Sequence, residues 1–212
     1  MTIDKVSTGL LEDVVIYTEA QTGDTGAQSV APGHLARHPY HPQQLPAKPN
    51  PSTAVGTLQN RVEQFIFYQS ELLDSKQWQA YIDLFAEDGV YWMPVMQEQT
   101  EWLDSPSIFA EDKGLMEVRM GRLTHPNAWS QAPTWGTSHI VSNVVIEAQN
   151  EASVSTRSRF QMLELHRDVT RHFGGTYRHI LARVGDDFAI KLQRVDLLNG
   201  QAIFDYVLQA WV

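Results

Sequence analysis

The second half of the chain alternates, and that alternation limits its folding more than any other feature. In Ser153–His166, residues Val154, Thr156, Ser158, Phe160 and Met162 occupy every second position. A period of two places them on one face of an extended strand. Thr137–Gln149 is a second strand of this kind, and Thr176–Val184 and Phe188–Asn199 are two more. Gly185-Asp186-Asp187 between the last two is a tight turn, which makes them a hairpin. Gln201–Val212 is expected to be a further strand or a trailing arm. Strands this long, joined by short turns, form an antiparallel sheet, and its apolar face needs a cover.

The cover precedes the sheet. Leu58, Val62, Phe65, Ile66, Leu72 and Leu73 recur at helical spacing and predict an amphipathic helix over residues 57–74. Asp74 or Ser75 is placed to cap the next helix, whose face is Trp78, Tyr81, Ile82 and Phe85. Gly89 suits a left-handed C-terminal position. Val90–Val95 is then a short aromatic strand, and Pro94 near its end suggests an exposed sheet edge. A third helix is expected over Ser107–Leu123, burying Leu115, Val118 and Met120, and HPNAWSQAPTW after it is a loop. Helices first and long antiparallel strands after them define an α+β chain in which one sheet curls over the helices.

The character changes near residue 55. Six of the ten prolines lie between Pro32 and Pro51, which bars a helix or central strand there. Residues 1–55 are therefore an N-terminal extension with a Pro-rich arm, and 56–212 the α+β domain. The arm is either a disordered linker or an ordered strap across a neighbouring surface. Its histidines His34, His38 and His41 lack acidic or thiol companions, which argues against a metal site.

With 212 residues and a formal net charge of −9, the chain is a poor partner for nucleic acid or an anionic membrane. It has no cysteine, which excludes disulfides, thiol catalysis and a thiolate-held iron–sulfur cluster. The N-terminus lacks the pattern of a signal peptide, and no apolar run nears the roughly 20 residues of a membrane span. A cytoplasmic protein is expected.

Several stretches together resemble the small (β) subunit of aromatic-ring-hydroxylating dioxygenases. They are LLDSKQW followed by YIDLFAEDGVYWMPV, then THPNAWSQAPTWGTSHIVSNVVIE, VSTRSRFQMLELH and FGGTYRHILARVGDDFAIKLQRVDLLN. The resemblance covers about residues 57–200, and its ending is nearer the benzoate and anthranilate branch. It implies a cystatin-like cone of the nuclear-transport-factor kind, with N-terminal helices packed in a curved antiparallel sheet. It also implies a structural, non-catalytic chain without metal or cofactor. A partner α subunit would carry the Rieske 2Fe–2S cluster and the mononuclear iron, three α assembling with three β around a β trimer. The alternative is a free-standing cone enzyme, an isomerase or dehydratase using a pocket Asp, His and Tyr.

Each candidate residue carries a functional and a structural meaning. Glu87 and Asp88 could be pocket acids, but Asp88 is expected to end the second helix and accept backbone hydrogen bonds near Gly89. Trp78, Tyr91 and Trp92 line a pocket or fill the core. His139, in a strand, is a packing or a catalytic histidine. Arg157 and Arg159 share a strand face, either solvated or at a subunit interface. His166 and His172 flank a strand end and are expected to be surface or interface residues rather than iron ligands.

Overall fold

The computed structural model describes residues 56–103, 105–123, 125, 135–202, 204, 208 and 211–212. The extension of residues 1–55, with its arm and its three histidines, and most of the HPNAWSQAPTW loop lie outside the described residues. All described residues belong to one unit, His41–Val212.

Helix α1, Leu58–Asp74, starts where Thr57 Oγ1 accepts the Asn60 backbone N–H at 3.4 Å. It buries Val62, Phe65, Ile66, Leu72 and Leu73, as their spacing requires. It ends in a left-handed residue, Lys76 (φ 59°). The Lys76 N–H donates to Leu73 O at 3.0 Å and the Gln77 N–H to Leu72 O at 2.8 Å, a paired closure that satisfies the last carbonyls. Helix α2, Trp78–Ile82, follows at once and has no side-chain cap. The expected cap from Asp74 or Ser75 fails because both are engaged elsewhere: Ser75 Oγ donates to Glu71 O at 2.5 Å, and Asp74 reaches across to a strand.

Strand β1, Phe85–Pro94, is longer than expected and is not an edge. It sits inside a six-stranded sheet, with strands β2 (Ser107–Asp112), β3 (Trp135–Gln149), β4 (Ser153–His166), β5 (Val169–Val184) and β6 (Asp187–Leu197) in the order β2-β1-β6-β5-β4-β3. Its pairing with β6 is parallel, and all other neighbours are antiparallel. Pro94 is tolerated at the last position, where the β1–β2 register shifts. The third helix is shorter than its expected span. Ser107–Asp112 pairs with β1, and only Lys113–Leu123 is helix α3. In α3 Met116 is buried and Met120 packs against the core as expected, whereas Leu115 and Val118, also expected inside, are exposed. Strand β5 begins earlier than expected, because the two-residue turn Arg167-Asp168 (Arg167 φ 57°) folds β4 directly onto it.

The three helices and the alternate residues Val154, Phe160, Met162, Tyr177, Ile190 and Val195 form one buried cluster. The trailing segment joins it, since Leu208, Trp211 and Val212 are buried there. The helices thus fill the concave side of a curved, open sheet. No helix among the described residues is long and apolar enough to cross a membrane.

Candidate functional site: a polar interior and an uncovered sheet face

The stretch LFAEDGVYWMP forms a bulge. Phe85 pairs with Ile190 and Val90 with Leu192, so Ala86–Gly89 stands opposite Lys191 alone. Glu87 and Asp88 are pushed into solvent, and Asp88 pairs with Lys191 Nζ. That hydrogen bond, set against slight desolvation, holds the Asp88 carboxyl below its usual range. Asp88 therefore neither ends α2 nor faces the interior. Gly89 is required for a different reason from the expected one: a Cβ there would lie 2.5 Å from Ile190 O. It permits the close approach of two strands rather than a left-handed turn.

Inside the cone, one register row is polar across five strands. Thr156 pairs with His179, His179 with Gln193, Gln193 with Tyr91, and Tyr91 with Glu111, and all five are buried. Tyr81 Oη and Gln69 Nε2 both donate to Gln193 Oε1, at 2.8 and 2.6 Å. Arg119 Nε and Trp211 Nε1 donate to the Glu111 carboxylate at 2.8 and 3.1 Å. Burial raises the phenols of Tyr81, Tyr91 and Tyr177, so they stay protonated at working pH. Burial drives the His179 imidazole the other way, down to about 3, so it is neutral.

His139 belongs to this interior, with its side chain wholly buried. Asp74 at the end of α1 accepts its Nδ1 at 2.6 Å, its backbone N–H at 2.7 Å, and Thr137 Oγ1 at 2.9 Å. Burial tends to raise the Asp74 carboxyl, but these bonds and the His139 charge outweigh it and leave it lowered. An aspartate and a histidine do meet, then, but the aspartate is Asp74, which the sequence offered only as a helix cap. Such a pair fixes the imidazole tautomer, whether for packing or for acid–base use.

The Trp78 ring packs at a tilt against both Trp135 and Trp211, with centroids 5.7 Å apart, and Tyr91 lies in the same core. Trp92 does not share that side. Its ring lies beneath Arg194 at 4.5 Å, and its Nε1 donates to Ser107 Oγ at 3.0 Å.

Trp92 belongs to the outer face of the sheet, over which no helix packs among the described residues. Its row is Val145, Arg157, Arg178, Arg194 and Trp92. Arg157 and Arg178 share Glu147, at 2.8 and 3.1 Å, and Arg194 holds Asp196 at 2.8 Å. Arg159, on the same face, donates to Thr176 Oγ1 at 2.8 Å. Ile140, Leu163, Ile180 and Leu198 are exposed between these arginines. An uncovered face with this many aliphatic side chains has the character of an interaction surface.

The interior and the residues around it do not fit iron. A Rieske centre needs thiolates, and the chain has no cysteine. Among the described residues no three His, Asp or Glu side chains converge as a ligand group. His166 and His172 lie in the β4–β5 hairpin, where they pair with Val169 and Leu163 respectively.

A curved six-stranded sheet around an interior packed with tryptophan, tyrosine and helix defines an α+β cone. Residues 69–202 match the family model described as ring hydroxylating beta subunit, and the chain belongs to that family. It is 29% identical to the anthranilate 1,2-dioxygenase small subunit of Acinetobacter baylyi, over 65% of this chain and 88% of that one. It is 31% identical to the biphenyl 2,3-dioxygenase subunit beta of Rhodococcus jostii, over 72% of this chain and 87% of that one. The solved beta subunit of benzoate 1,2-dioxygenase from Burkholderia mallei superposes with a TM-score of 0.56 at 25% identity, covering 69% of this chain and 95% of that one.

Proposed function

We propose that this chain is the structural beta subunit of the terminal oxygenase of an aromatic-ring-hydroxylating dioxygenase. The observation that carries it is the family match over residues 69–202. The chain is part of an oxidoreductase whose catalytic centre belongs to the alpha subunit. The ligand inventory supports that division, since this sequence contains no cysteine for a Rieske cluster. The alpha subunit then holds the 2Fe–2S cluster and the mononuclear iron, in an assembly of three alpha with three beta around a beta trimer. The aromatic substrate is an aromatic acid, on the strength of the RHIL…AIKLQRVDLLN ending. The assembly acts in the cytoplasm. Residues 1–55 are an N-terminal extension to the domain of residues 56–212.

Trp78 and Tyr91 serve the core, and Asp88 with Lys191 clasps the β1 bulge. His139 with Asp74 ties α1 to β3. Trp92, Arg157 and Arg159 belong to the outer face through which subunits meet. The isomerase or dehydratase reading would need His139 Nε2 to act on a bound substrate, and family membership favours the scaffold. The test is co-expression with a large subunit carrying a Rieske CxH…CxxH pattern. The two chains should copurify in equal amounts, with all iron on the large one. Purified chain holding about one iron of its own, lost in His166→Ala or His172→Ala, would overturn the reading.

A further inference from the structure

The turn after β6, residues 198–202, carries Asn199 followed by Gly200, and no other asparagine of the chain precedes a glycine. Asn199 is exposed. Among the described residues its side-chain amide makes no hydrogen bond, and the Gly200 N–H finds no acceptor. The turn is held on either side of this pair instead. The Leu198 N–H donates to Gly174 O at 2.9 Å, and the Ala202 N–H donates to Asn199 O at 2.8 Å. Packing keeps the glycine in place, since a Cβ at Gly200 would lie 3.2 Å from Val95 O.

A backbone nitrogen that follows an asparagine can attack the side-chain amide carbon and close a cyclic imide. The Gly200 N–Cγ bond forms as the Asn199 Cγ–Nδ2 bond breaks. The Gly200 N–H proton, passed through solvent, completes the ammonia that leaves. Water then opens the imide at one carbonyl or the other, giving aspartate or isoaspartate. The step needs a free backbone N–H, a side chain able to swing onto it, and no side chain on the next residue to crowd the approach, which glycine ensures.

The other described asparagines each lack one of these. Asn60 lies in α1, where the N–H that follows it, on Arg61, donates to Thr57 O at 3.2 Å. Asn150 Oδ1 accepts the Ala152 and Ser153 N–H groups at 2.8 and 2.7 Å, which holds its side chain. Asn143 precedes Val144, which is β-branched and buried.

We propose that Asn199 is a modification site, at which the folded chain converts its own asparagine to aspartate and isoaspartate by imide formation with Gly200. The product carries a new carboxylate beside Leu198, which is 83% exposed. Isoaspartate also lengthens the backbone where the chain leaves β6 for the trailing segment that buries Trp211 and Val212.

The test follows the full chain over days in warm, mildly alkaline buffer. Trypsin cuts after Arg194, and the peptide that begins at Val195 holds Asn199 as its one asparagine. That peptide should gain the mass of an acid over an amide and become a substrate for isoaspartyl methyltransferase. It should do so faster than the peptides holding Asn60, Asn143 or Asn150, and more slowly in mildly acidic buffer, because the attack uses a deprotonated nitrogen. Asn199→Gln should lose methyl acceptance in this peptide, since its longer side chain must close a larger ring. A melting curve shows whether that variant is folded. Hydroxylamine, which splits a chain at an imide, needs no variant and should cut between Asn199 and Gly200. A mass gain seen only in urea-unfolded chain would mean that the folded turn forbids the reaction. A gain without methylation that persists in Asn199→Gln would put the change on Gln201 or Gln209. Either result, or a gain no faster than at the other asparagines, or none at all, overturns the proposal.

Discussion

Gly89 shows how one residue can be singled out for the wrong physical reason. The sequence marks it as a helix terminator, but its role is to let β1 and β6 approach, because Ile190 O lies where a Cβ would be. Gly89→Ala should therefore strain the parallel pairing and cost about 1–3 kcal/mol, the scale of overpacking, measured by urea denaturation. Its neighbour Asp88 is in solvent beside Lys191. Asp88→Asn should leave the melting temperature of the chain unchanged and turnover of the assembled oxygenase within a few-fold. A general acid or base contributes about 10²–10⁴-fold, so a loss on that scale with assembly intact would make the carboxylate chemical. Trp78 is the opposite case, enclosed by Trp135 and Trp211. Trp78→Ala should cost about 3–5 kcal/mol in denaturant unfolding.

Elements depart from expectation where pairing overrides local pattern. Val90–Val95 with Pro94 has the marks of an edge strand, but β6 and β2 enclose it. Ser107–Asp112 continues the helical pattern of α3 in sequence, but its backbone groups find partners on β1, and a satisfied ladder outweighs a weak helix propensity. The link between α1 and β3 is just as illegible, because Asp74 and His139 are 65 residues apart. That link has a pH signature. The Asp74 carboxyl is lowered below 3.8 in the folded chain, so its contribution is fully present above pH 3.8 and is lost as pH falls through the folded value. Asp74→Asn should lower the melting temperature at neutral pH, and the difference between the two proteins should shrink as pH falls below 3.8.

The whole molecule carries a broader acid sensitivity through His179. Its imidazole titrates near 3 when folded and near 6.5 when unfolded. Between those values the unfolded chain binds a proton that the folded chain does not, so stability falls as pH drops from 6.5 toward 3. The slope approaches about 1.4 kcal/mol per pH unit for one such group. His179→Gln should flatten this part of the stability curve, measured by denaturant midpoints across that range. An unchanged slope would mean that His179 is protonated or solvated in the native chain.

The sequence by itself determined the class of the molecule. The alternation in Ser153–His166 and the helical spacing in 57–74 each state which face is buried, and those local periods survive folding unchanged. Cysteine content excluded the iron–sulfur cluster, and the linked motifs placed the chain among dioxygenase beta subunits. The tertiary structure decided what no local period encodes. It put β1 inside the sheet, turned Leu115 and Val118 outward, and joined Asp74 to His139. It also aligned Thr156, His179, Gln193, Tyr91 and Glu111 as one buried row, although they come from five strands. Such a row exists only once strand order and register are set, and those depend on pairings between residues far apart in the chain.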